Sequence, residues 1–223
     1  MLTNREFKTH IYEQFAEIGK ALSSPVRLEL IDLLSQGERT VEVLANSISQ
    51  PIANTSQHLQ TLLSAKIVKK RKTGNYVTYQ LVNQEIYKLW QSLQKVGEVC
   101  LPEVQVSSKD FFSSTEEFKP MEHKDLLSLA SSDDVIILDV RPLEEFNHCH
   151  IKGATSMPLD QLENSLSLLD KNKKIIAYCR GKYCVLSHEA VQLLNQHGYS
   201  AYRLPNSVFD WQEQGLPVEA KIA

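Results

Sequence analysis

The stretch Ile175-Ile-Ala-Tyr-Cys179-Arg-Gly-Lys-Tyr-Cys184-Val-Leu-Ser-His188 decides how the second half of the chain is read. Ile175 to Ala177 is an apolar run behind a Lys/Asn turn and predicts a buried strand. Downstream, Glu189-Ala-Val-Gln-Leu-Leu-Asn sets Val191 and Leu194 three apart ahead of Gly198, which predicts a helix closed by that glycine. Cys179 therefore falls at the C-terminal end of a buried strand and just before a helix, the place where open α/β sheets bind ligands. A helix N-terminus offers unpaired N–H groups and the positive end of its dipole, and Arg180 and Lys182 add charge, so the pattern favours a thiolate. A purely structural cysteine needs neither two cations nor a glycine beside it.

The 223 residues suffice for one large domain or two small ones, and charge favours two. Residues 1–100 carry 12 Lys+Arg against 9 Asp+Glu, a net +3, whereas 101–223 carry a net −6. That asymmetry points to a polyanion-binding half and a separate acidic half. Cys100, Cys149, Cys179 and Cys184 are too few and too late for a secreted disulfide framework, and no apolar stretch resembles a signal peptide or a membrane span. A cytoplasmic protein with no membrane partner is expected.

In the basic half, Phe7, Ile11, Phe15, Ile18 and Leu22 fall on one helical stripe. Ser24-Pro25 then supplies an N-cap and an N1 proline for a helix whose inner face holds Leu28, Leu30, Ile31, Leu33 and Leu34 and which ends at Gly37. Thr40 opens a short third helix, and Pro51 a fourth with core residues Ile52, Leu59, Leu62 and Leu63. Two short helices joined by a turn suggest helix-turn-helix. Ile67 to Leu81 reads as two short strands around Gly74-Asn, with Lys69, Lys70, Arg71 and Lys72 on the first strand and tip, a basic wing. Asn83 caps a fifth helix carrying Ile86, Leu89, Trp90, Leu93, Val96 and Cys100.

The runs Leu22-Ser-Ser-Pro-Val-Arg-Leu-Glu-Leu-Ile-Asp-Leu-Leu, Ser56-Gln-His-Leu59-Gln-Thr-Leu and Gly74-Asn-Tyr-Val-Thr-Tyr resemble the ArsR family of winged-helix repressors across roughly residues 5–100. The resemblance implies a homodimer paired through its first and last helices on double-stranded operator DNA, with recognition helices about 34–36 Å apart. It places Asn54, Ser56, Gln57 and Gln60 near bases or phosphates, where Asn and Gln can pair with adenine edges. Lys70, Arg71 and Lys72 of the wing would add salt-sensitive, sequence-independent affinity. Metal-sensing members carry a Cys-x-Cys pair in the third helix, where Thr40-Val41-Glu42 stands here. Sulfide-responsive relatives bridge the third and fifth helices by two cysteines, of which only Cys100 has a counterpart; on its apolar stripe it reads as a small core residue.

Residues 101–116 mix Pro, Ser and charge without a sustained period and read as a linker. Beyond them, 124–130 reads as a short helix, Val135 to Val140 as a buried strand and Leu159 to Leu169 as helical, so strands alternate with helices and a parallel sheet is expected. Leu138-Asp-Val-Arg141-Pro-Leu-Glu-Glu-Phe146, His150-Ile-Lys-Gly-Ala154, Tyr178 to Cys184, Trp211 and Gly215-Leu-Pro-Val look like a rhodanese domain over about residues 116–220. That resemblance assigns Cys179 the catalytic persulfide, with the backbone N–H groups of Arg180, Gly181, Lys182, Tyr183 and Cys184 cradling the substrate anion, and Asp139 and Arg141 bracing the loop.

Loop length separates two chemistries. Oxyanion-clamping relatives need Arg six positions after the cysteine, and Val185 stands there, so sulfur transfer is favoured over phosphate or arsenate chemistry. The family's usual Gly-Gly before the last helix is replaced by Pro205-Asn206-Ser207. Cys184 either attacks a Cys179 persulfide, giving a disulfide and sulfide, or points into the helix base, and both roles stand open. Cys184 and His188 at i, i+4 lack a third ligand, so no metal is expected; His150 reads as a turn residue and Cys149 as structural.

The expected architecture is two domains: a mostly α winged helix-turn-helix over 1–100, a linker over 101–116 and an α/β rhodanese-like domain with a parallel sheet over 117–223. The expected function is a homodimeric transcriptional regulator responding to a small sulfur donor such as thiosulfate or a persulfide through Cys179, with Cys184 and Cys100 as candidate redox partners and no cofactor. Two rivals remain: a plain sulfurtransferase with an uncoupled DNA-binding half, and a metal- or metalloid-responsive repressor.

Overall fold

The computed structural model describes residues 2–74, 76–116 and 132–220. It divides into two compact units, Met1–Cys100 and Leu101–Ala223. The first is built from α1 (Asn4–Leu22), α2 (Pro25–Ser35), β1 (Arg39–Thr40), α3 (Val41–Ser47), α4 (Ile52–Ser64), β2 (Val68–Thr73), β3 (Tyr76–Leu81) and α5 (Glu85–Cys100). Local chemistry sets the helix starts. Thr3 and Glu6 close a capping box on α1, Pro25 occupies the first turn of α2, the Thr40 hydroxyl accepts from the Val43 N–H, and Asn83 Oδ1 accepts from the Glu85 N–H at 3.1 Å. Ser24 makes no side-chain cap bond, so α2 is initiated by its proline and the extended residue before it.

The core of this unit is Leu30, Ile31 and Leu34 of α2, Leu44 of α3, Leu59 and Leu62 of α4, and Ile67. Strands β2 and β3 pair antiparallel from Val68↔Leu81 to Thr73↔Tyr76, with β1 on the far edge of β3. Asn75, at the expected turn, lies outside the described residues. Ile52, expected in the core, is half exposed: Thr55, Leu59 and Leu62 form the buried stripe of α4, and Ile52 stands in the first turn ahead of it. Cys100 is also not a core residue. It is exposed at the end of α5, on a face that leaves Leu89, Leu93 and Val96 exposed as well, and α1 likewise exposes Phe7 and Phe15.

The second unit starts with a difference from the sequence reading. Residues 102–112, expected as linker, form helix α6 (Pro102–Phe112), with Pro102 in its first turn, Glu103 near its N-terminus, Lys109 near its C-terminus and Phe112 buried. The helix expected at 124–130 lies outside the described residues. There follow β4 (Val135–Asp139), α7 (Leu143–His148), β5 (His150–Ile151), β6 (Thr155–Ser156), α8 (Leu159–Ser165), a 3-10 turn (Leu166–Leu168), β7 (Lys174–Tyr178), α9 (Leu186–Gln196), β8 (Ser200–Leu204), α10 (Val208–Glu213) and β9 (Val218–Glu219). The main sheet has the order β6-β4-β7-β8 with every pair parallel.

Strand parity divides β7 between two cores. Ile175, Ala177 and Cys179 face Ala190, Val191 and Leu194 of α9 and Leu162 of α8, whereas Ile176 and Tyr178 pack with Ile151, Val208 and Trp211 on the opposite face. Both faces of the sheet are covered, and Cys179 leaves the strand on the α9 side. No helix among the described residues is long and apolar enough to cross a membrane.

Candidate functional site

The loop from Cys179 to Cys184 joins the end of β7 to α9. A Cys184 N–H bond to the Gly181 carbonyl (3.1 Å) turns the chain, and Gly181 sits at φ +134°, a conformation that other residues rarely adopt. Cys179 is fully buried, its Sγ 3.1 Å from Ser187 Oγ and 3.6 Å from the Cys184 carbonyl oxygen. Burial alone would push this thiol up. Hydrogen bonds from the Cys184 thiol, the Ser187 hydroxyl and the backbone N–H groups of Ser187 and Gly181 outweigh it and bring Cys179 down to about 7. Cys184 is raised well above its ordinary value because of its hydrogen bond to Cys179 and its partial burial. At neutral pH the loop thus favours the anionic form of Cys179 and the protonated form of Cys184.

The sign of the shift gives a direct test. A thiolate favoured in the folded state adds stability fully above the unfolded thiol range and loses it as pH falls through about 7. Thiolate absorbance at 240 nm is expected to show one midpoint near pH 7 that disappears in Cys179→Ser; a lowest midpoint near 9 in the wild type would show that the loop does not stabilise the anion.

Asp139 and Arg141 stand at the end of β4, both completely buried. Arg141 Nε and Nη2 donate to the Asp139 carboxylate at 3.0 and 2.6 Å, the Arg141 N–H donates to Oδ1 at 3.0 Å, and Nη2 also reaches the Cys149 carbonyl at 2.8 Å. The Tyr178 hydroxyl donates to the same carboxylate and accepts from the Ile151 N–H at 3.2 Å. The pair ties the ends of β4 and β7 to the segment carrying His150, whose ring stacks on Phe146 with centroids 3.7 Å apart. Cys149 is partly buried, which raises its thiol, and it contributes its carbonyl to Arg141.

Arg180 does not project as an anion hook. Its guanidinium forks onto Glu145, with Nε 3.1 and 3.2 Å from the two carboxylate oxygens and Nη2 2.7 Å from Oε1, and Glu145 is buried. Lys182 is the exposed cation of the loop, and Tyr183 and Cys184 are partly buried. Three residues that shape the site carried no role in the sequence reading: Glu145, Ser187 and Arg203. Arg203, buried at the end of β8, donates from Nη1 to the Lys182 carbonyl at 2.9 Å and lies 3.9 Å from the centroid of the Phe112 ring. A buried Arg on an otherwise apolar strand and two acids following a strand-end Asp-x-Arg were the available signals. His188 directs Nδ1 at the Thr115 hydroxyl (3.0 Å) between Phe111 and Phe112, and burial lowers its pKa.

In the first unit, Gln57 and Gln60 are exposed on α4, and Ser56 and Asn54 half-buried. Asn54 donates its amide to Gln50 Oε1 at 2.8 Å, and Gln60 lies 3.5 Å from the Tyr79 hydroxyl. On the wing Lys70 and Lys72 are exposed, while Arg71 is ion-paired with Glu38.

A winged helix-turn-helix followed by a parallel α/β domain with a low-pKa cysteine in a strand-to-helix loop defines a two-domain regulator class. Residues 22–71 match the helix-turn-helix domain model and 122–214 the rhodanese-like domain model. HTH-type transcriptional regulator Rv0324 of Mycobacterium tuberculosis is 34% identical over 95% of this chain and 93% of its own length. A sulfurtransferase of Allochromatium vinosum is 29% identical over 41% of this chain and 85% of its own. The homodimeric winged helix-turn-helix domain Mb0332 of Mycobacterium bovis is 33% identical, covering 45% of this chain and 94% of that one with a TM-score of 0.42. The chain belongs to the HTH-type transcriptional regulators in which an ArsR-type DNA-binding domain precedes a rhodanese domain.

Proposed function

We propose that this regulator forms a persulfide on Cys179 and that the persulfide changes the affinity of a homodimer for its operator. The observation that carries the reading is the buried Cys179 thiol brought down to about 7 in a braced loop of a chain that also holds a DNA-binding domain. The Cys179 thiolate attacks the outer sulfur of thiosulfate, the S–S bond to the sulfonate breaks, and sulfite leaves with the electron pair, so a Cys–S–S⁻ group remains. Cys184 beside it can then attack the inner sulfur, closing a disulfide and releasing sulfide. Dimerisation through α1 and α5 is supported by the apolar side chains both leave exposed, Phe7, Phe15, Leu89, Leu93 and Val96.

Fluorescence anisotropy on an operator duplex at fixed salt tests the coupling. A persulfide donor is expected to weaken wild-type binding by a factor of about 5–150, the usual range of an allosteric coupling, and to leave Cys179→Ser unchanged. Equal affinities for reduced and persulfidated wild type would leave a plain sulfurtransferase fused to a DNA-binding domain. Running Cys100→Ser alongside shows whether the signal instead arises in the first domain.

The same duplex separates the roles of wing and helix. Lys70→Ala and Lys72→Ala are each expected to weaken binding to all sequences alike and to lower the salt slope by about one, whereas Gln57→Ala relaxes sequence preference. Arg71→Ala should do less, because Glu38 already compensates its charge. A changed sequence preference with an unchanged salt slope in Lys72→Ala would make the wing a base reader.

A further inference from the structure

Within the second unit, the end of α6 and the residues after it are stitched to the sheet that carries the active-site loop. β8 is an edge strand of the main sheet, and the Arg203 N–H on it donates to the Glu116 carbonyl at 2.9 Å. Gln192 Nε2 of α9 donates to the Ser114 hydroxyl at 2.8 Å, beside the pair of Thr115 with His188. Phe112 is buried with the face of its ring against the Arg203 guanidinium, while Nη1 of the same group donates to the Lys182 carbonyl of the loop at 2.9 Å. A guanidinium donates in its plane and meets an aromatic ring with its face, so the two contacts do not compete. One buried side chain thus touches α6 and the loop together.

Holding the Lys182 carbonyl also fixes the Tyr183 N–H, because the two point opposite ways in one planar trans peptide, and no described peptide bond is cis. Lys182 follows Gly181, whose N–H stabilises the Cys179 anion and whose φ of +134° marks a backbone that can turn easily. Without the Arg203 bond that peptide can turn over, which exchanges the places of its oxygen and its N–H and disturbs the Gly181 N–H next to it. We infer that Arg203 is a positioning residue for the reaction at Cys179 and that Phe112 sets Arg203, so the working sulfur-transfer unit begins at α6 and not at residue 122, where the rhodanese-like match starts. This rests on the persulfide chemistry of Cys179 proposed above.

The test uses the full chain with Arg203→Met, Arg203→Lys and Phe112→Leu, each checked for folding by urea denaturation. Two quantities are read: the midpoint of thiolate absorbance, and the rate of Cys179 persulfide formation from thiosulfate by mass spectrometry. Every variant leaves in place Cys184 and Ser187, which face Cys179, as well as Arg180, Glu145, Lys182 and His188 around them. Arg203→Met is expected to raise the midpoint from about 7 to about 8, a tenfold change in the equilibrium, and to slow persulfide formation at least about tenfold. Arg203→Lys, which keeps the cation and a donor, should recover most of both. Phe112→Leu keeps an apolar side chain but removes the ring face, and should move both readings in the direction of Arg203→Met by about threefold. A wild-type midpoint in folded Arg203→Met, or an Arg203→Lys protein as impaired as Arg203→Met, overturns the positioning role. Wild-type readings in Phe112→Leu overturn the part assigned to α6, and that variant decides the matter if Arg203→Met does not fold. A raised midpoint in the variants of a protein that never forms a persulfide supports the positioning of the thiolate and leaves the functional reading to fail alone.

Discussion

The Arg180→Ala protein is expected to unfold about 3–5 kcal/mol more easily than the wild type, because the substitution strips the cation from a buried carboxylate. Glu145 is 1% exposed and accepts three contacts of 2.7–3.2 Å from the Arg180 fork. An exposed loop cation would change stability by no more than about 0.5 kcal/mol, so the two roles for Arg180 predict results several-fold apart. Urea unfolding of the full chain decides between them. Replacing both partners, as in Arg180→Met with Glu145→Leu, should restore most of the lost stability, since a buried ion pair exchanged for apolar side chains of similar volume is often near neutral. A small stability change in Arg180→Ala combined with loss of turnover on thiosulfate would return Arg180 to the anion-binding role that its loop position suggests.

A loss of similar or larger size is expected for Asp139→Ala. Its carboxylate compensates the Arg141 guanidinium and accepts from the Arg141 N–H and the Tyr178 hydroxyl, all in a region closed to solvent. Removal leaves a buried cation without its counter-charge and buried donors without their acceptor, again about 3–5 kcal/mol or more. Burial alone would lower Arg141, yet the Asp139 carboxylate outweighs it and holds the guanidinium above its ordinary range. Even after Asp139 is removed, a guanidinium keeps its proton in proteins, so the stability deficit of Asp139→Ala should be as large at pH 9 as at pH 7. A deficit that disappeared at pH 9 would mean that Arg141 had been neutralised instead. Asp139→Asn, which keeps the shape and loses the charge, should fall between wild type and Asp139→Ala in the same denaturation series.

By itself the sequence determined the two-domain order, the wing, and the placing of Cys179 after a buried strand, because each rests on spacing within a few residues. A continuous apolar run locates β7 and a period-3.6 pattern α9, Thr40 and Asn83 cap the helices they precede, and an Asp-x-Arg pair at a strand end can bond to itself without distant help. Helix α6 was not legible, since its Phe112 is held by Arg203 and His188, 91 and 76 positions away, and its own apolar period is weak. Ile52 is half exposed and Cys100 exposed because a helical stripe gives a direction and not the extent of the core it meets. Only the tertiary structure decided what the loop charges do. Arg180 is drawn to Glu145, 35 positions earlier, and Arg203 reaches the Lys182 carbonyl from the neighbouring strand, 21 positions later. Local spacing carries no information about such partners: a buried charge is satisfied by whichever opposite charge or carbonyl the chain topology brings within about 3 Å, and that is settled when the sheet forms.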